Sequence, residues 1–415
     1  MNDTSNRPIL VLGAGIAGLT AALEAAETGR FVVLVEKNPW VGGRVAAFHQ
    51  YFPKLCPPSC GLEINIRRLE RNPRIRLLTG TRLAGAERIE GGWRVILTRA
   101  PRWVTDRCTA CGECTAACPV EIPNPFDQGM GTVKAIHRPH AQSWPERFVM
   151  ERDACRQGCH ACADACEYGA IDLAAEATTE ELEVGSVVVA TGWEPYPLEK
   201  LPELGGGVLP DVISNVQMER LAHPGGPTGG RILRPSDGAP PRRVAFVQCA
   251  GSRDVNHLAY CSGVCCLASL KEALYVREQL PGAEIAIYYI DRRTPGRNED
   301  FLEKVAGTEG IRLVKGKVGK VLAADGGLEL VVEDVEAGRR LHERADLVVL
   351  ATGMVPSAGD LPLPVELDED GFVLDDPASG VVPAGVVHRP QEVASVVRDA
   401  TGASARAMAM AGGRA

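Results

Sequence analysis

Residues 9–36, ILVLGAGIAGLTAALEAAETGRFVVLVE, decide the fold. Residues 9–12 have the pattern of a short buried strand. They run into Gly13-x-Gly15-x-x-Gly18 and then into a helical stretch, residues 19–28, closed by Gly29. Gly13 permits the tight turn, Gly15 lets the backbone approach a pyrophosphate, and Gly18 lets the helix pack against the strand. Ala14, Ile16 and Ala17 complete a turn whose helix N-terminus presents free N–H groups and a partial positive charge to phosphate. A second strand, residues 31–35, ends in Glu36 and Lys37. Glu36 is placed to accept hydrogen bonds from a ribose 2′-hydroxyl, which argues against a 2′-phosphate there. Alone, a glycine turn is a weak signal. In this strand–turn–helix setting, with its acidic partner, it predicts a dinucleotide site.

Working outward, Gly42, Gly43 and Arg44 follow, and this second glycine turn resembles that of flavoproteins with two dinucleotide-binding domains, of the thioredoxin and glutathione reductase type. The resemblance implies FAD, and an FAD fold interrupted by a second nucleotide-type domain. Residues 187–190 followed by Thr191-Gly192, with Ala190 at the strand end, read as its returning strand and turn. The pattern recurs at residues 347–354, LVVLATGM, which contains Gly353. Residues 381–411, with Gly385, resemble the closing strand and helix, whose N-terminus would touch the flavin. The fold class is α/β. Expected segments are 1–100, 170–240 and 347–415 for the FAD domain, 101–169 for an insert, and 241–346 for the second nucleotide-type region.

The insert carries two cysteine runs. They are Cys108-x2-Cys111-x2-Cys114-x3-Cys118-Pro119 and Cys155-x3-Cys159-x2-Cys162-x3-Cys166. Three thiolates at C-x2-C-x2-C fit one tight loop around a cubane corner, and in two-cluster ferredoxins the fourth ligand belongs to the other run. The expected sets are therefore Cys108, Cys111, Cys114 and Cys166, and Cys118, Cys155, Cys159 and Cys162, each holding a 4Fe-4S cluster. The second run has one extra residue between its first two cysteines, and Glu167 stands where the first run has proline. Zinc favours two separated CxxC pairs, and disulfides need an oxidising compartment.

Between these FAD segments, residues 243–248 begin a new strand, with residues 267–279 as helix and 284–291 as the next strand. A nicotinamide-binding domain would present GxGxxG after that first strand, but the chain reads Gln248-Cys249-Ala250-Gly251-Ser252. The backbone cradle for a pyrophosphate is missing. A second constellation stands there: Cys249, Cys261, Cys265 and Cys266. These thiols are either buried small hydrophobes or the ligands of a third 4Fe-4S cluster, and the start of a helix would stabilise their thiolate charge.

VQCAGSRD and YCSGVCCLASLKEAL, with the insert and the N-terminal turn, resemble the flavin subunit of heterodisulfide reductase, the HdrA family. LCPPSCGLEINIRRLERNPRIRLLTG and the short length resemble more specifically the QmoA branch, from the quinone-interacting membrane-bound oxidoreductase complex. The resemblance implies that the four late cysteines ligate a 4Fe-4S cluster. It also implies an electron-transfer subunit that relays electrons between a membrane quinone pool, through partner subunits, and a cytoplasmic sulfur-metabolism oxidoreductase such as adenylylsulfate reductase. Alternatives are an NAD(P)H-dependent iron–sulfur flavoprotein and a heterodisulfide-type disulfide reductase subunit. No catalytic side chain is expected, because FAD and clusters carry the chemistry.

The remaining features set bounds. The 415 residues carry 45 Lys and Arg against 53 Asp and Glu, a net charge of −8, which argues against nucleic acid as partner. The first residues show no basic segment followed by an apolar one, and no apolar run approaches the length of a membrane span. The expectation is a cytoplasmic protein, peripheral at the inner face of the membrane through its partners. Fourteen cysteines then suggest metal ligands. Cys56 and Cys60 read either as a redox dithiol near the flavin or as structural or partner-facing residues. His137 and His140 are expected in a solvated connector, and His388 near the flavin.

Overall fold

The computed structural model describes residues 7–336 and 338–411. Its first sheet has five parallel strands in the order Val381–Pro383, Ser186–Val189, Ile9–Leu12, Val32–Glu36, Ile75–Thr79. Ile9 pairs with both Ser186 and Val32, so the N-terminal strand is central. Every residue of Ile9–Leu12, Val32–Glu36 and Ser186–Val189 is buried. Continuous apolar runs are required here because both faces of the sheet are covered. On one face pack the first helix, Ile16–Glu27, and the closing helix, Val393–Ala411, through Leu19, Leu23, Ala400 and Ala403. On the other lies an antiparallel sheet of Thr178–Val184, Gly92–Arg99 and Thr81–Ile89, joined through Trp93, Val95 and Leu97.

The second sheet has seven strands, in the order Val212–Ser214, Leu347–Thr352, Arg243–Ala250, Glu284–Tyr289, Ile311–Ala324, Gly327–Asp334, Arg339–Ala345. The first five are parallel, and the last two return antiparallel. Helix Cys265–Gln279 packs on this sheet through Leu267, Leu270 and Val276. Helix Asn215–Ala222 starts at a capping box, in which Ser214 Oγ accepts from the Gln217 N–H and Gln217 answers at the Ser214 N–H.

This arrangement corrects the expected boundaries. Leu347–Thr352, assigned above to the closing FAD segment, is an inner strand of the second sheet, bonded to Val212–Ser214 and Arg243–Ala250. Val212–Ser214 joins that sheet too, although it falls within 170–240. Both are fully buried apolar strands, and such strands look alike whichever sheet they enter. The chain's true return to the first sheet is Val381–Pro383.

The insert leaves from Gly92–Arg99 and returns into Thr178–Val184, which pair along their length. Its neck is closed by a Val104–Ile171 bridge and by the Thr105 N–H donating to Ala170 O at 2.8 Å. One buried side chain ties the three regions together. The Arg220 Nε, from helix Asn215–Ala222, pairs with Asp127 of the insert at 2.7 Å, and its Nη1 donates to Ala47 O of the FAD region at 3.0 Å. Removing one partner of such a buried pair costs about 3–5 kcal/mol.

Candidate flavin cavity and iron–sulfur sites

The glycine turn lies at the mouth of a cavity of about 720 Å³. Gly13 has φ +100°, and a Cβ there would sit 2.4 Å from Ala190 O. A Cβ on Gly43 would sit 2.8 Å from the Gly15 Cα, so the two glycine turns touch through bare backbone. The first helix begins at Gly15 without a side-chain cap and without an acidic residue in its first turn. Its N–H groups are thus left for an anion.

Gly13, Gly15, Ile16 and Ala17 line the cavity, as do Glu36, Lys37, Gly43 and Arg44. Ala190, Thr191 and Gly192 close it from the returning strand. Ala14, Gly18 and Gly42 stand behind that wall and hold it. The Ala14 N–H donates to Glu36 Oε2 at 2.8 Å, and the Gly42 N–H donates to Ala14 O at 2.8 Å. Gly385 packs on Ala17 beside the lining residue Val386. Gly353 does not belong to this site: it faces Ser252, Leu258 and Ser262, beside the late cysteines.

The residues fit FAD on two local observations. Thr191 Oγ1 is buried with no partner and faces this cavity. Glu36 is buried against the turn, and desolvation raises its carboxyl above the ordinary range, a penalty that hydroxyl donors of a ribose would offset. Arg44 stacks over Trp193 at 5.0 Å and pairs with Glu194, and burial lowers its guanidinium to about 10. The closing helix reaches the cavity with Val393 and Ala394, but the Ala394 and Ser395 N–H groups are taken by the Glu392 carboxylate. His388 lies outside the lining, with Nδ1 3.7 Å from Asp399 Oδ1.

The opposite end of the cavity holds residues that no motif marked. Lys271 Nζ lies 2.8 Å from Glu219 Oε1 and donates to Gln50 O at 2.7 Å, with both charged side chains buried. The ammonium sits 5.6–5.9 Å from the rings of Phe48, Phe52 and Tyr275. Glu272 completes this end. In sequence, Lys271 and Glu272 read as the polar face of a surface helix. Cys56 also lines the cavity while Cys60 does not; both are exposed free thiols.

In the insert, Cys118, Cys155, Cys159 and Cys162 surround one small pocket with Pro119, Ile136 and Met150. These are the four cysteines expected to share a cluster across the two runs. Cys114 feels Cys108 and Cys111 as neighbouring charges. Cys166 accepts from the Ala170 N–H at 3.3 Å, and Ala170 is held against Thr105, three residues before Cys108. Gly158, at φ +70°, sits within the second run's longer spacing. Burial pushes the Cys114 thiol up to about 11, so a cluster would have to draw off its proton on binding. Among the described residues, no three His, Cys, Asp or Glu groups stand close enough to hold a single metal ion. A cubane spreads its four thiolates over four irons, which suits these wider sets better than zinc.

His137 and His140 are not in a solvated connector. His137 is buried with Nδ1 3.0 Å from Lys134 O, and burial lowers its pKa. His140 stacks on Phe126 at 4.6 Å, and burial, with Arg220 nearby, takes it to about 4. Phe126 lines the flavin cavity, so this part of the insert forms its wall.

The four late cysteines also come together. Cys265 lies among Cys249, Cys266 and Cys261, and Cys266 feels Cys261. They occupy the carboxyl edge of the second sheet, where Arg243–Ala250 gives way to helix Cys265–Gln279. Cys249 is at φ +59°, a left-handed conformation unusual for a side-chain-bearing residue. The Gly263 N–H donates to Cys261 Sγ at 3.4 Å, and the Arg293 N–H donates to Cys266 Sγ at 3.5 Å. Burial pushes Cys249 up to about 11 and Cys265 well above the usual thiol value.

Two family matches fall on these sites: FAD dependent oxidoreductase at residues 8–52, and 4Fe-4S binding domain at residues 101–124. The HdrA protein of the H(2):CoB-CoM heterodisulfide,ferredoxin reductase from Methanothermobacter marburgensis is 36% identical over 96% of this chain. The chain is a homologue of HdrA. A second relative, the HdrA iron-sulfur protein of the CoB–CoM heterodisulfide reductase from Methanocaldococcus jannaschii, is 35% identical over 99% of the chain. The chain spans 63% and 65% of the lengths of these two relatives. In solved structures, Bacillus cereus bacillithiol disulfide reductase matches with TM-score 0.55 at 14% identity, covering 99% of each chain. The thioredoxin reductase of T. acidophilum matches with TM-score 0.53 at 14% identity, covering 98% of each. These two establish the thioredoxin-reductase-like fold. No helix among the described residues is long and apolar enough to cross a membrane.

Proposed function

We propose that this chain is the FAD and iron–sulfur electron-transfer subunit of an HdrA- or Qmo-like complex. It relays electrons between a membrane quinone pool, through partner subunits, and a cytoplasmic sulfur-metabolism oxidoreductase such as adenylylsulfate reductase. The observation that carries this reading is the second sheet's carboxyl edge. Where a nicotinamide pyrophosphate would need bare glycine backbone, four cysteines converge. FAD exchanges electron pairs and clusters exchange single electrons. The chain's own residues divide the work. The glycine turns and Glu36 hold the dinucleotide, the crossed thiol sets hold the insert's two clusters, and Cys249, Cys261, Cys265 and Cys266 hold a third. Phe126 and Arg220 fix the insert against the flavin cavity.

The names of the two HdrA relatives support a second reading, in which the complex acts on a heterodisulfide. Both readings share a test of the electron path. Anaerobically prepared protein is expected to hold about twelve irons per FAD, from three cubanes of four irons each. Mixing it with NADH should leave the flavin oxidised; prompt bleaching would instead reveal a nicotinamide-dependent enzyme. Cys114→Ser should keep FAD bound and abolish transfer to the partner. Transfer to adenylylsulfate reductase or to a heterodisulfide, measured with each in turn, separates the two readings.

A further inference from the structure

We propose that Glu219 and Glu272 form a carboxyl pair that shares one proton and releases it into the flavin cavity when an electron pair arrives there. Glu272 is 1% exposed and Glu219 3%, and both line the cavity. Neither oxygen of Glu272 has a hydrogen-bond donor among the described residues, and Glu219 Oε1 lacks one as well. Glu219 Oε1 does lie 2.8 Å from Lys271 Nζ, but off the direction of a hydrogen bond, while the ammonium donates to Gln50 O. Glu219 Oε2 is satisfied by the His49 N–H at 2.8 Å. Three buried acceptor oxygens therefore meet with no donor between them, and the Glu272 carboxyl faces that of Glu219.

Charge counting leads to the same place. Two carboxylates against one lysine would leave a net negative charge in a water-poor pocket, and an unpaired buried charge is costly. One proton makes the cluster neutral and supplies the missing donor. Two carboxyl groups too close to ionise together are a recognised way of holding such a proton. The groups facing the pair are Lys271, Tyr275 and Cys265 on the helix of Glu272, and His49 from the first domain. Burial and the neighbouring Glu219 charge both favour the protonated Glu272 carboxyl.

This proposal rests on FAD occupying the cavity. When two electrons from the clusters reduce it, the O–H bond of the pair breaks and the proton passes to the reduced isoalloxazine ring. The pair then carries two negative charges against Lys271, and it takes the proton back when the ring is reoxidised. The site thus compensates charge internally, before solvent supplies a proton.

The first test uses the protein without FAD, so it stands even if flavin binding fails. At neutral pH, the infrared spectrum of the wild type should contain the carbonyl stretch of a protonated carboxylic acid that is lost in Glu272→Gln. Glu219→Gln should lose it too, because Glu272 then becomes the ionised partner of Lys271. A band retained by both variants, or absent from the wild type, overturns the proposal. Folding must follow the same proton. Below the ordinary carboxylate range the folded and unfolded chains are both protonated. As pH rises, the unfolded chain releases a proton that the folded pair keeps, so the folding constant falls about tenfold per pH unit until the pair itself deprotonates. Glu272→Gln should lack that fall, and parallel pH curves would count against a shared proton. In the FAD-loaded protein, two-electron reduction should draw one more proton from solvent in Glu272→Gln than in the wild type; equal uptake would overturn the role assigned to the pair.

Discussion

The two parallel sheets end in the same kind of place and fill it oppositely. In each, a strand at the centre of a parallel sheet runs into a turn and then a helix N-terminus, where such sheets bind ligands. At the first, the turn is bare: Gly13 and Gly18 press backbone on backbone, and the N–H groups of the first helix face the cavity. At the second, Cys249 stands in a left-handed conformation where glycine would serve a phosphate, and Cys265 and Cys266 open the helix. One end is shaped for a phosphate by removing side chains, the other for metal by concentrating them. A shared fold therefore says little about what either end binds.

That contrast can be broken from the first sheet with the largest effect. A side chain at Gly18 would place its Cβ 1.7 Å from Gly13 O, so Gly18→Val should abolish FAD binding altogether. Flavin absorbance after desalting measures this; bound FAD in the variant would show that the turn is not the cradle. From the second sheet the effect is smaller and selective. Cys266→Ser should lower iron by about four atoms per chain, the content of one cubane, while FAD and the insert's clusters stay. A variant with unchanged iron would return these cysteines to the role of core packing.

The smallest effect sharpens the joint between the two ends. His49 stands edge-on to both His223 and Tyr275, and burial takes His223, like His140, to about 4. Folded pKa values below the usual 6.5 mean that the unfolded chain binds more protons as pH falls from about 6.5 to 4. Stability should decline across that window and level off above it. Thermal melts should lose this slope in part in His223→Gln, whereas an unchanged profile would remove this histidine from the joint's acid sensitivity.

Much of this was legible in the chain. Residues 9–36 announced the first strand, turn and helix because each glycine answers a local steric demand. The two insert runs announced their crossed ligand sets because a short loop can wrap only three corners of a cubane. Leu347–Thr352 was misplaced because a strand buried on both faces carries no mark of the sheet it will join. Gly353 followed it away from the flavin. His137 and His140 looked solvated because burial of a polar connector depends on what folds over it, here the wall around Phe126.

The buried charges escaped notice for a related reason. Lys271 and Glu272 are adjacent on a helix, Glu219 lies some fifty residues earlier, and no spacing links them. By itself the sequence determined the local chemistry: which turns could approach a phosphate, which thiols could share a cluster, and that no glycine cradle follows Arg243–Ala250. Those properties depend on steric and ligand demands within a few residues. Only the tertiary structure decided which strands share a sheet, and that Glu219, Lys271 and Glu272 meet out of water at one end of the flavin cavity. Pairing, burial and proton sharing are set by neighbours distant in the chain.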